Sequence, residues 1–186
     1  MLNNILKGSP IIRQIALPIE IETNGKISTF KDADFLLNLG SHLVKVMGSH
    51  DGYVIAAPQV GVNARMMVVQ TGLKRADPNI DTLNHALIED DSRARIFINP
   101  IVQPVKGCEK HLNLENSASV PNLMGIVERY DKISLSAYEL KIEGKKEYKL
   151  EKVNETLRYM DSYLTQHCAD MLDGILYIDK IKELFK

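Results

Sequence analysis

A chain of 186 residues, 45% apolar and 25% charged, has the size and make-up of one globular domain with a real core. Its 23 basic and 24 acidic residues leave a formal charge of −1, which argues against a nucleic-acid binder with its usual basic excess. No stretch approaches the roughly 18 apolar residues that a membrane-spanning helix needs.

The opening MLNNILKGSP lacks the cationic start, apolar core and small-residue cleavage site of a secretory leader, so the expected location is the cytoplasm. Cys108 and Cys168 are then expected as two free thiols, a single disulfide being the alternative. PIIRQIALP, from Pro10 to Pro18, mixes prolines with isolated apolar residues and predicts an extended arm laid on the core. Phe35, Leu36, Leu39, Leu43, Val44 and Met47 recur at helical spacing behind Asp32, a capping residue, and predict the first helix.

Met66 to Val69 is a short apolar run with two valines and predicts a buried strand. Residues 71–95 are polar, contain Gly72 and Pro78, and predict a mobile excursion between strands. Arg95 to Asn99 predicts a second strand, interrupted by Pro100 and resumed from Ile101 to Val105. Ile133, Leu135 and Ala137 alternate with polar residues, and Gly144 separates them from Glu147 to Leu150, the pattern of an antiparallel hairpin. From Glu151 the apolar positions Val153, Leu157, Met160, Leu164, His167 or Cys168, and Met171 step by three or four up to Gly174, a helix stop. That stripe turns His167 and Met171 towards the core. The tail DKIKELFK predicts a short surface helix docked by Ile181 and Leu184. The sum is an α+β domain over residues 1–186, with mainly antiparallel sheets packed around a long amphipathic helix.

Three segments carry chemistry: GYVIAAPQVG (Gly52 to Gly61), ENSASVP (Glu115 to Pro121) and QHCADMLDGILYID (Gln166 to Asp179). In order and spacing they resemble the peptide deformylase family, whose versions read GxGxAAxQxG, EGCLS and QHExDH; PIIR at Pro10 to Arg13 and INP at Ile98 to Pro100 add to the match. The resemblance covers nearly the whole chain and implies a deformylase-like α+β fold. It also implies a hydrolase that removes formyl from N-formylmethionyl peptides. In that family the Cys of the second segment and both His of the third hold one divalent metal, Fe(II) or in preparations Zn or Ni, and the bound water is acidified by the cation. The Glu beside the first His shuttles the proton.

Position by position, His167 matches the first His, whereas Ser117 stands for the Cys, Met171 for the second His and Cys168 for the Glu. A neutral hydroxyl and a thioether are poor donors to Fe(II) or Zn(II). Gln59 matches the Gln beside the oxyanion, Ala118 takes the place of the family's Leu, and Val54 and Asn116 replace glycines on the substrate rim. The expectation is therefore a binding or regulatory protein without the usual metal-dependent reaction and with no cofactor, its partner a nascent N-terminal peptide or the ribosome. The alternative is a divergent deformylase or amide hydrolase, using recruited ligands or a Ser117/His167 pair. A direct Ser117 to His167 hydrogen bond is expected to replace the ion as a link. Cys168 has three readings: a small buried apolar residue, a new metal ligand, or a thiol activated by the neighbouring imidazole. Because successive helix residues diverge by about 100°, the first is preferred.

Overall fold

The structure is a computed structural model that describes residues 4–24, 27–30, 32–50, 52–75, 86–144 and 147–185. Strands β1 (Ile21–Asn24) and β2 (Ile27–Phe30) form a small antiparallel pair. Helix α1 (Ala33–Ser49) follows at once, and the Asp32 side chain caps it by accepting from the Phe35 N–H at 3.3 Å. Its inward face carries Leu36, Leu39, Leu43 and Met47 as the spacing predicts, together with Leu37 and Val46, while Phe35 stands 42% exposed. At Gly40 the helix approaches the sheet so closely that an added Cβ would sit 3.2 Å from Ile96 Cδ1.

Strands β3 (Val54–Ala56), β4 (Met66–Arg75) and β5 (Ala86–Pro104) enter the main sheet, all antiparallel. Met66 to Val69 is buried at every position because the sheet is covered on both faces. Met66 and Val68 pack in the core with α1, and Met67 and Val69 in a second core on the opposite face. The excursion expected over 71–95 is instead largely strand: Thr71 to Arg75 pairs with Ala86 to Arg93, and residues 76–85 lie outside the described residues. Polar composition misleads there because the ladder is made by backbone groups, which polar side chains do not prevent from pairing. As predicted, Pro100 interrupts β5 without ending it. The chain bulges between Ile98 and Ile101, with Asn99 at φ 50° and its side chain bonded to both backbone groups of Ile19, and pairing resumes at Ile101.

Strands β6 (Lys110–Ser117) and β7 (Val120–Tyr130) form a second sheet, and β8 (Lys132–Ile142) and β9 (Tyr148–Arg158) complete the first in the order β3-β4-β5-β8-β9. The hairpin at Ile133 is as predicted, but its second arm runs to Arg158. Residues 151–158 are therefore strand, not the start of the long helix. Val153 and Leu157 are four apart and satisfy period two as well as period 3.6, so either reading fits them. A sharp corner at Tyr159, φ 50°, whose N–H donates to Asp131 O at 2.7 Å, turns β9 straight into α2 (Tyr159–Leu172).

The arm from Pro10 contains one 3-10 turn, Pro10–Arg13, with Ile12 in the second core. The tail is a strand, β10 (Ile181–Phe185), antiparallel to β7, where a surface helix was expected. Eight residues are too few for a stable isolated helix, whereas the open edge of β7 offers paired hydrogen bonds. Both cysteines are free, and no helix among the described residues is long and apolar enough to cross a membrane.

Gly174 ends α2 with φ +72°, and a Cβ there would lie 2.6 Å from Arg13 O. Gly174→Ala should cost about 2 kcal/mol or more, from the left-handed conformation plus the backbone clash, read as a lower urea midpoint.

Candidate functional site

One face of α2 presents Met160, Leu164, His167 and Met171, stepping by four, three and four, to a cavity of about 860 Å³. The end of β6, from Asn113 to Ala118, forms the opposite wall, and Val54, Ile55 and Gln59 close a third side. Every sequence-predicted site residue except Cys168 lines this cleft: Gln59, Ser117, Ala118, His167 and Met171.

The electrostatic centre is Glu115. Arg129, reaching across from β7, donates from Nε to Oε1 at 2.6 Å and from Nη2 to Oε2 at 2.8 Å. His167 Nδ1 lies 2.7 Å from Oε2. Burial alone would raise this carboxyl, but the hydrogen bonds from Arg129 and then His167, with their charges, outweigh it and hold it at about 2. Glu115 is thus ionised and can only accept, so Nδ1 of His167 carries a proton, and Nε2 lies across the ring from that bond. The network continues outward, since Arg129 Nη1 donates to Asp170 Oδ2 at 2.5 Å and Lys180 Nζ to Asp170 Oδ1 at 2.6 Å. Gln166 locks the same helix to the end of β7, accepting from the Tyr130 N–H at 3.1 Å and donating to its carbonyl at 2.7 Å.

Ser117 and His167 line one cleft, but among the described residues they form no hydrogen bond. The Ser117 Oγ accepts from the Ser119 N–H at 3.3 Å, and His167 bonds through Nδ1 to the Glu115 carboxylate. Gln59 is 4% exposed and committed inward. Its Oε1 accepts from the Ala56 N–H at 2.9 Å and its Nε2 donates to Ser119 Oγ at 3.1 Å. Cys168 points the other way, fully buried in the second core among residues such as Met67, Phe97 and Leu172. Burial pushes its thiol far up, only partly offset by a hydrogen bond with the Ile55 backbone, so the activated-thiol reading does not hold. The orienting carboxylate absent from the sequence reading is Glu115, 52 residues from His167 in the chain. Its position two residues before Ser117 on one strand was the available signal, since period two puts both on one side.

Two antiparallel sheets with a helix between them, and a strand end facing a helix-borne imidazole across a cleft, define an α+β domain of the deformylase type. The sequence pattern of that family, described as polypeptide deformylase, matches residues 3–186, and the chain belongs to it. A peptide deformylase of Fusobacterium nucleatum is 31% identical over 180 residues, 96% of this chain and 83% of that one. One from Pseudothermotoga lettingae is 30% identical over 176 residues, 95% and 80%. Peptide deformylase 2 of Coxiella burnetii is 33% identical over 129 residues, 69% of this chain and 56% of that relative. Among solved structures, the Met-Ala-Ser-bound class I type b peptide deformylase of Acinetobacter baumannii superposes with a TM-score of 0.71 at 25% identity, covering 97% and 99% of the two chains.

Glu115 gives the fold an acid limit. Its carboxyl sits at about 2 against an ordinary 4.5, so its contribution to stability is complete above about pH 4.5 and is lost as pH falls through about 2. Urea midpoints should drop across that window, and Glu115→Gln, though weaker at neutral pH, should show a shallower acid slope. Cys168→Glu places a carboxylate in an apolar core with no counter-charge and should cost about 3 kcal/mol or more, against about 1 for Cys168→Ala. Equilibrium unfolding of the two variants separates charge from volume.

Proposed function

We propose that this member of the deformylase family is a cytoplasmic protein that holds peptide N-termini in the cleft and does not carry out metal-assisted deformylation. The observation that carries the reading is the donor set around His167. The family's divalent ion would meet one imidazole, the hydroxyl of Ser117 and the thioether of Met171, and a neutral oxygen with a soft sulfur does not fit Fe(II), Zn(II) or Ni(II). Among the described residues, no three His, Cys, Asp or Glu side chains are grouped so as to hold an ion. The position that would shuttle a proton carries a thiol buried in the second core, away from the cleft.

What supports binding is the cleft itself. It is large enough for several residues of peptide and is lined by apolar side chains together with polar ones, including Asn113, Asn116 and Asn122. Two free cysteines agree with a reducing compartment. The alternative, amide hydrolysis through Ser117 and His167, has an orienting carboxylate in Glu115 but lacks the general-base contact. A serine-directed acyl probe whose labelling is unchanged by Ser117→Ala removes that alternative.

Metal analysis of the purified chain should give far less than one Fe, Ni or Zn per molecule. Turnover of a formyl-Met peptide should not exceed that of His167→Ala, while the same peptide binds in calorimetry. Near-stoichiometric metal with turnover lost in His167→Ala would overturn the reading, as would absence of peptide binding.

A further inference from the structure

The donors that suit a hard divalent ion so poorly suit a soft one. His167 and Met171 stand one helical turn apart on α2, and both line the cleft. Glu115 accepts a hydrogen bond from Nδ1 of His167 at 2.7 Å, which leaves Nε2, at the far side of the ring from the carboxylate, as the nitrogen that can meet a ligand. A carboxylate bonded to the outer nitrogen is the arrangement that orients an imidazole for a metal ion and raises its basicity. This imidazole is therefore held as a ligand is held, although its divalent partners are missing.

The cavity that His167 lines is rich in methionine. Four of the chain's seven methionines, Met47, Met124, Met160 and Met171, line this one cavity, and two of them lie on the same face of α2 as His167. Cys168 does not line the cavity; its side chain is wholly buried in the second core, into which Met171 also packs. Thioether and imidazole together select Cu(I) over Zn(II) or Fe(II), and a monovalent d10 ion is content with two or three ligands and needs no anionic one.

We propose that His167 Nε2 and Met171 Sδ form a binding site for a soft monovalent cation, Cu(I), with the methionine-lined wall of the cleft as its surround. The site is independent of the peptide-holding reading. Peptide binding without soft-ion binding sinks only this proposal, and soft-ion binding without peptide binding sinks only the other.

Ag(I) serves as the redox-inert probe. Cys108, a half-buried free thiol that would capture it, is first replaced by Ser in the otherwise full chain. In protein carrying 13C-methyl methionine, one equivalent of Ag(I) should move the methyl resonance of Met171, assigned by its absence from the spectrum of Met171→Leu. Met171→Leu, a volume-conserving change, and His167→Gln should each weaken Ag(I) binding by about tenfold or more in calorimetry. An unmoved Met171 resonance at one equivalent overturns the proposal without relying on any variant's fold. So does undiminished affinity in a folded Met171→Leu protein, or an equal response to Zn(II).

Discussion

Glu115 is the point at which the second sheet, through β6 and β7, is joined to α2. Its carboxylate is shared by Arg129 of β7 and His167 of α2, and Arg129 turns back to α2 through Asp170. A buried ion network of this kind contributes little net stability, because desolvation offsets most of the attraction. What it supplies is direction. Apolar residues of equal volume could fill the same space, but they would let α2 slide on β7 and the imidazole turn. With the fork of Arg129 on one side and Nδ1 on the other, one arrangement satisfies every partner, and the cleft inherits its shape from that arrangement.

Around this junction, each element takes its faces from simple periodicity, and that is why much of the fold was legible. The inward stripe of α1, the buried run at Met66 to Val69, the alternation at Ile133 and the stop at Gly174 all appear where spacing puts them. The failures share one physical cause: short-range pattern does not see what a segment lies against. Val153 and Leu157 fit helix and strand equally, and only pairing with β8 decides. Residues 71–75 and 86–95 look like loop because they are polar and charged with no sustained period, yet their backbones pair. The tail reads as a helix because its apolar residues are three apart, but the free edge of β7 is what it meets.

The site divides along the same line. That His167 and Met171 share a face follows from their spacing of four, and that Cys168 faces elsewhere follows from the turn of about 100° per residue. Both were available to inspection of the chain. The partner of His167 was not. Ser117 and Glu115 sit on one side of one strand, within reach of the same helix, and the choice between them rests on charge and solvation, which a spacing cannot carry. The ionised carboxylate bonds Nδ1, and the hydroxyl accepts from the backbone of Ser119.

This division explains how the residues at the head of the cleft can differ so far from the family pattern on an intact fold. Where an ion's bonds are part of the folding free energy, replacing its ligands unfolds the domain. Here the junctions that hold α2 in place run through Glu115, Arg129, Asp170 and Gln166, and the two cores lie on either side of the main sheet. Ser117, Met171 and Cys168 are outside the ionic junction: one caps a strand end, one fills the cleft wall, one packs in a core. Each meets a local demand of size and polarity, so the side chains presented to the cleft can differ while the geometry that presents them stays in place.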